Sequence, residues 1–282
     1  MTRRDIDTRI TVLVDNNVRP DLGLLAEHGF SALIERGPDR ILFDTGQGQA
    51  LPWNAGILGV DLAGIDTVVL SHGHYDHTGG LPHVVRHNPG VRVVVHPKAL
   101  EPHLALKENE SVPHDVGIPY RPTVVEKAGA RFDLKTEFAE IAGGVFYTGY
   151  VPRILAAEPD KRLLVPGRGG WRPDLMEDDV SLLLDTPSGW VVCFGCAHAG
   201  VRNILHHLKD HLEITSIWGV LGGTHLGFAA ESETFAVIEV LESFRVQFVA
   251  TAHCTGAGPN RILKNHFGDR FHAAHAGAVF EF

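Results

Sequence analysis

Nine short runs of β-branched and aliphatic residues recur along the 282-residue chain: RITVLVD, FSALIE, RILFDTG, TVVLS, VRVVVH, VSLLLD, WVVCFG, SIWGVLGG and VQFVATA. Each reads as a strand, and several are followed by helical periodicity, in GGLPHVVRH, GVRNILHHLKDHL and ESETFAVIEVLESF. A chain that alternates strands with helices covers its sheets with those helices, so the pattern predicts an α/β domain.

The runs also contain an internal echo. Residues 31–48 (SALIERGPDRILFDTGQG) and 181–198 (SLLLDTPSGWVVCFGCAH) each read as a strand, a short turn with Gly and Pro, and a second strand ending in a Gly-bearing loop. In that register Asp44 matches Phe194 and Gly48 matches His198. Either the chain has two similar hairpin halves or two hairpins are alike by chance. From about 100 to 179 the pattern is poor, with many prolines, the loop-like LVPGRGGWRPD and the acidic cluster Glu177, Asp178, Asp179. The expectation is one domain over 1–282 carrying an irregular insertion or lid at about 100–179.

The strand ends are where histidines collect. His72 and His74 close TVVLS, His96 closes VRVVV, His198 follows WVVCFG, His225 follows WGVLGG and His253 follows VQFVA. In α/β sheets the carboxyl ends of strands face one crevice into which helix N-termini point, so these rings are expected to build one site. His96, alone at its strand end, reads first as a satisfied polar residue.

The densest cluster is LSHGHYDHTGGL. Packing His72, His74, Asp76 and His77 together without a cation would cost on the order of several kcal/mol in desolvation or repulsion. Two histidines two residues apart reach one ion together, while Asp76 and His77 turn toward a second, and Gly73, Gly79 and Gly80 let the backbone fold tightly. His198 and His253 complete the two sets. Imidazole and carboxylate donors suit Zn²⁺, Mn²⁺ or Fe in sites that keep a water-filled position.

Composition limits the partners. The formal net charge is −9 and no basic run stands out, which argues against nucleic acid or an anionic membrane surface. There is no apolar stretch of membrane-spanning length, and the polar start MTRRDIDTR lacks a signal-peptide core, so a cytoplasmic protein is expected. Three cysteines, Cys193, Cys196 and Cys254, make no disulfide framework in a chain of this length.

The motif His72-x-His74-x-Asp76-His77, with ILFDTG, GCAHAGVRNI, GGTHLG and AHCTG, resembles the metallo-β-lactamase-fold superfamily over nearly the whole chain. Within it the motifs are similar to the branch named after 7,8-dihydropterin-6-ylmethyl-4-(β-D-ribofuranosyl)aminobenzene 5′-phosphate synthase. The resemblance implies a four-layer αββα sandwich, two mixed sheets flanked by helices, with a dinuclear site at one edge. It implies His72, His74 and His198 at one metal, Asp76, His77 and His253 at the other, and Asp44 supporting the metal loop. Two divalent ions are implied, zinc first, with manganese, iron or magnesium as substitutes. Arg153, in TGYVPRILAAE, matches a recurrent feature of the branch and either reaches a substrate anion or stays solvated.

One departure concerns sulfur. Where many hydrolases of the superfamily carry a bridging aspartate in a GD loop, this chain has Gly195-Cys196, and the Cys196 thiol either binds a metal or packs. Cys193-x-x-Cys196 has redox spacing, but Cys193 alternates into a strand core. Cys254 reads as a small buried hydrophobe.

The expected chemistry is hydrolysis of a small ester, phosphodiester or lactone, with a hydroxide bridging the two ions as nucleophile and Asp76 orienting it and accepting a proton. His225 is the candidate non-ligand catalytic or substrate group, or else a structural neighbour. Thr255, Gly256 and Gly258 precede one predicted helix and Gly200 another, where N–H groups either meet an anionic substrate or simply cap. Tyr150 and Trp171 are candidates for a wall against a pterin-like ring. Two alternatives stand beside hydrolysis: condensation of a dihydropterin with an aminobenzene ribotide, and a non-catalytic or electron-transfer metal-binding protein, which the lack of a flavodoxin-like phosphate loop disfavours.

Overall fold

Alternation within the strands is two-sided. In β1 (Thr8–Val14), β2 (Ser31–Arg36) and β3 (Asp39–Phe43), the residues Ile10, Val12, Ala32, Ile34, Ile41 and Phe43 pack into one apolar layer, and Leu13, Leu33 and Leu42 pack into another. A sheet whose two faces are both apolar must be covered on both. The computed structural model describes residues 6–155 and 159–282, so the first five residues of the polar start and 156–158 of the insertion lie outside the described residues.

The remaining strands are β4 (Thr67–Val69), β5 (Arg92–Val95), β6 (Leu104–Ala105), β7 (His114–Asp115), β8 (Arg131–Leu134), β9 (Ala139–Ala142), β10 (Val145–Tyr147), β11 (Leu163–Gly167), β12 (Gly170–Pro173), β13 (Ser181–Thr186), β14 (Gly189–Phe194), β15 (Gly219–Gly223), β16 (Phe248–Ala252), β17 (Phe271–Ala273) and β18 (Val279–Glu281). Two seven-stranded sheets follow one plan, β18-β1-β2-β3-β4-β5-β8 and β9-β10-β13-β14-β15-β16-β17. In each, the first four strands pair antiparallel and the pairs beyond them are parallel. The echo between 31–48 and 181–198 is this repeat. Ala32 pairs with Phe43 and Leu182 with Cys193, the positions that the sequence register matches.

The helices are α1 (Ala50–Ile57), α2 (Tyr75–Thr78), α3 (Leu81–His87), α4 (Pro122–Lys127), α5 (Val201–Leu212), α6 (Glu231–Ser243) and α7 (Ala257–Phe267). Side chains of α1, α3 and α4 cover the outer face of the first sheet, and those of α5, α6 and α7 cover that of the second. In α5 the buried Val201, Ile204, Leu205 and Leu208 recur at helical spacing and form the covering stripe. Between the sheets lies a third apolar layer, to which Val12, Phe43 and Val69 contribute from one side and Leu182, Cys193 and Leu221 from the other. The result is the four-layer αββα sandwich.

The stretch 100–179 differs from the expected irregular insertion. β8 extends the first sheet, β9 and β10 extend the second, and only β6, β7, β11 and β12 form a separate four-stranded sheet. The strands joining the large sheets are three or four residues long, too short to show a clear period, and that hid them. Opposite the metal-motif edge, Arg36 is fully buried and ties the sheets together, donating to the Gly143 carbonyl at 2.8 Å and to Thr8 Oγ1 at 2.7 Å. No helix of the described residues is long and apolar enough to cross a membrane.

Candidate metal centre

Strands from both sheets end at one edge, and their exits supply the polar cluster. β1 runs into Asp15 and Asn16, β3 into Asp44, β4 into Ser71 and His72, β14 into Cys196 and His198, β15 into His225, and β16 into His253. Asp44, Ala197, His225 and His253 sit at positive φ, 59°, 53°, 55° and 48°. Left-handed backbone at non-glycine residues costs on the order of 1 kcal/mol or more each, and such strain gathers where a site over-determines the chain. Close approach fixes two glycines as well: a Cβ on Gly195 would stand 2.1 Å from Ser71 Oγ, and one on Gly73 would stand 2.3 Å from the Ala99 carbonyl oxygen.

The structure brings His72, His74 and His198 together, with ring centroids 4.5, 4.8 and 5.1 Å apart and donor nitrogens all within 4.8 Å of one another. His72 Nε2 faces His74 Nδ1 at 3.0 Å. His74 Nε2 and His198 Nε2 are buried without a hydrogen-bond partner among the described residues. Beside them, His253 Nε2 is 3.2 Å from His77 Nε2 and 3.3 Å from Asp76 Oδ2, and His77 Nε2 is 3.7 Å from that oxygen. A single turn, α2, carries Asp76 and His77.

Electrostatics favours cation binding here. Burial, reinforced by neighbouring imidazoles, holds His72 and His198 well below the ordinary histidine range, and burial pushes His74 down to about 3. These rings are neutral, as ligands must be. Burial opposes ionisation of Asp76, but His77, His253 and His28 override it and hold the carboxyl well below its usual range. The facing ring nitrogens and the ionised carboxylate are a donor set that fits divalent cations: His72, His74 and His198 form one cluster of ligand atoms, and Asp76 and His253 form a second with His28, with His77 Nε2 3.2 Å from His253 Nε2.

Supporting groups orient these donors. Asp44 is fully buried; its Oδ1 accepts from Ser71 N at 2.7 Å, and its Oδ2 contacts both Ser71 Oγ and His77 Nδ1 at 2.7 Å. That leaves His77 Nε2 to face the centre. Asp178 accepts from Gly73 N and Asp179 from Ala199 N, each at 2.8 Å, so consecutive carboxylates brace the backbone beside His74 and beside His198. Asp15 and Asn16 do the same for His253, at 2.6 Å to its N–H and 2.8 Å to its Nδ1.

Some expectations meet a different geometry. Thr255 is fully buried, its hydroxyl donating to Ala252 O at 2.8 Å and accepting from Thr224 Oγ1 at 3.0 Å, so its polar group is engaged within the fold. Tyr150 and Trp171 are exposed and lie off the cavity walls, whose aromatic rings are those of Phe228 in both cavities and Tyr75 in the larger. Arg153 does line a cavity of about 530 Å³ next to His198 and Gly200. His225 turns Nε2 to Asp160 at 3.4 Å and Nδ1 to Cys196 Sγ at 3.5 Å.

Sequence reasoning missed His28 and His103. His28 Nε2 contacts Asp76 Oδ2 at 3.2 Å, from a loop with no motif around it. His103 lies behind His74 and bonds Asp174 at 2.6 Å. A second cavity of about 860 Å³ is lined by His74, Asp76, His198 and His253, and its far wall comes from 105–110 and 160–163 of the predicted lid.

Comparisons with known proteins agree with this architecture. The family model described as Metallo-beta-lactamase superfamily matches residues 25–156. The 7,8-dihydropterin-6-methyl-4-(beta-D-ribofuranosyl)-aminobenzene-5'-phosphate synthase of Methanocaldococcus jannaschii is 28% identical over 275 residues, covering 91% of this chain and 90% of that protein. An uncharacterized protein of the same organism, MJ0448, is 30% identical over 249 residues, 88% of this chain and 90% of its own length. Among solved structures, Tm1679, described as a metal-dependent hydrolase of the beta-lactamase superfamily, is 30% identical, covers 98% of this chain and 99% of its own, and superposes with a TM-score of 0.84.

Proposed function

The chain belongs to the metallo-β-lactamase superfamily, in the branch of the dihydropterin-ribofuranosylaminobenzene phosphate synthase, and from that premise we propose a metal-dependent hydrolase acting on a small ester, phosphodiester or lactone. The observation that carries this reading is the convergence of imidazole nitrogens: His72 Nε2 faces His74 Nδ1 at 3.0 Å, and His198 Nε2 is buried without a hydrogen-bond partner among the described residues, where His74, His198, Asp76 and His253 line one cavity.

His72, His74 and His198 would hold one divalent cation, and Asp76, His77 and His253 the other, with zinc the first choice for this donor set. When bound, the cations supply the positive charge that makes a water acidic near neutral pH and polarises the bond under attack. The chain's own part is positional. Asp44 fixes the His77 ring, and Asp178 and Asp179 fix the two loops that carry His74 and His198. Asp76 presents an ionised carboxylate to the cavity and serves to orient a water and take its proton. His225 has both ring nitrogens engaged, and no proton transfer is assigned to it. Arg153 and Lys161 on the adjoining cavity favour an anionic substrate. The residues of the 105–110 and 160–163 segments act as its lid. Three free thiols suit a reducing, cytoplasmic setting.

The test is a panel of carboxylic esters, phosphodiesters and lactones offered to zinc- or manganese-loaded protein, with His74→Ala as control. Turnover that disappears in His74→Ala supports the proposal; no turnover across the panel, or turnover that the variant keeps, overturns it. The 28% identity to the M. jannaschii synthase over 91% of the chain favours one second reading, condensation of a dihydropterin with an aminobenzene ribotide. Mass detection of the joined product from those two substrates would select it.

A further inference from the structure

Sulfur occupies a part of the cavity wall that the mechanism above leaves unused. Cys196 Sγ lies 2.9 Å from Cys254 Sγ and 3.5 Å from His225 Nδ1, and the His225 backbone N–H donates to Cys254 Sγ at 3.1 Å. The three donor atoms fall within 4.8 Å of one another, and both thiols are buried. Cys193, which shares redox spacing with Cys196, lies in the apolar layer between the sheets and takes no part.

Topology makes the meeting specific. β14, β15 and β16 are adjacent parallel strands, and the loops leaving their ends carry Cys196, His225 and Cys254 respectively. His225 holds its backbone in the left-handed region, at φ 55°. Its other ring nitrogen faces the Asp160 carboxylate at 3.4 Å. An imidazole turned by a carboxylate so that its second nitrogen meets a sulfur is how a metal-ligating histidine is held.

We propose that Cys196, Cys254 and His225 form a sulfur-containing site for a zinc-class divalent cation, adjoining the imidazole and carboxylate centre, whose His72 and His77 ligand atoms also lie within 4.8 Å of the Cys196 sulfur. Binding forms two sulfur–metal bonds and one nitrogen–metal bond and releases the two thiol protons to solvent. Three protein donors would leave a fourth position to water or substrate, and all three residues line the 860 Å³ cavity. Thiolate donors select softer ions than His and Asp, so the two neighbouring centres are filled with different preference.

Cobalt(II) is the test ion. Full-length protein, purified under reductant and loaded with cobalt, is expected to show thiolate-to-cobalt charge-transfer absorption in the near ultraviolet. The band is expected to vanish in Cys254→Ser and in Cys196→Ser, each verified as folded by its melting curve, and bound metal should fall by one ion per chain in both. His74→Ala, which damages the imidazole centre, should keep the band; hydrolysis and the sulfur site can therefore fail separately. The proposal is overturned if the wild type lacks the band, if Cys254→Ser keeps it, if His74→Ala loses it, or if mass analysis after alkylation finds Cys196 and Cys254 joined as a disulfide.

Discussion

The Asp44 carboxylate makes three contacts in a space closed to solvent, and one of them is made directly to a candidate ligand. Two go to Ser71 and hold the loop after β4, while the third turns His77. Asp44→Asn keeps an oxygen for the loop but loses the charge that fixes the His77 ring. Removing such a partner costs about 10–100-fold in metal affinity, and a competitive zinc titration of Asp44→Asn should show a loss of that size with the fold intact. His103 offers a pH-dependent counterpart. Burial works against charging it, but Asp174 and Asp178 lift its pKa to about 9, above the ordinary 6.5. A raised folded-state pKa stabilises the fold fully below pH 6.5, and that contribution is lost as the pH climbs through 9. The shift corresponds to at most about 3 kcal/mol. In chelator-treated protein, urea melts of wild type and His103→Gln should differ most at pH 6 and converge toward pH 10; an equal gap at both values would contradict this.

Elements carry information that single residues do not. The repeat of strand, two-residue turn and strand at 31–48 and 181–198 is legible because both hairpins are long and apolar on both faces, and the two large sheets grow from them. The His72 to His77 cluster is legible because one short loop contains it. His28, Asp15, Asn16, His103 and Asp160 leave no such trace, since each comes from its own loop and meets the site only through the fold. Arg36 is hidden for the same reason. At the end of β2 it reads as a surface charge, yet the turn between β9 and β10 closes over it, and its donors satisfy carbonyl and hydroxyl oxygens of both sheets. Leaving such buried acceptors unpaired costs about 1–3 kcal/mol each. Arg36→Met is therefore expected to lose on the order of 3 kcal/mol in a urea melt, while metal affinity measured below the transition stays unchanged because the site lies at the opposite edge.

For the whole molecule, the candidate centre is a joint between two halves. The first sheet supplies His72, His74, Asp76 and His77, and the second supplies His198 and His253, so cations held by these residues bind the sandwich only when both sheets are in place. Unfolding separates the donors, and a ligand bound by the native state alone stabilises it by about 4 kcal/mol when its free concentration is a thousand times its Kd. In a chain of this size 1 kcal/mol moves the melting temperature by roughly 2–4 °C, so chelation should lower the Tm by about 8–16 °C. The same argument separates variants by where they act. His74→Ala on the first sheet and His253→Ala on the second should each lose most of the metal-dependent increment while melting near wild type in chelator. Arg36→Met should shift the metal-loaded and chelated curves down together. A Tm that does not respond to chelation, in protein shown by elemental analysis to have carried metal, would mean that the cations sit elsewhere than between the halves.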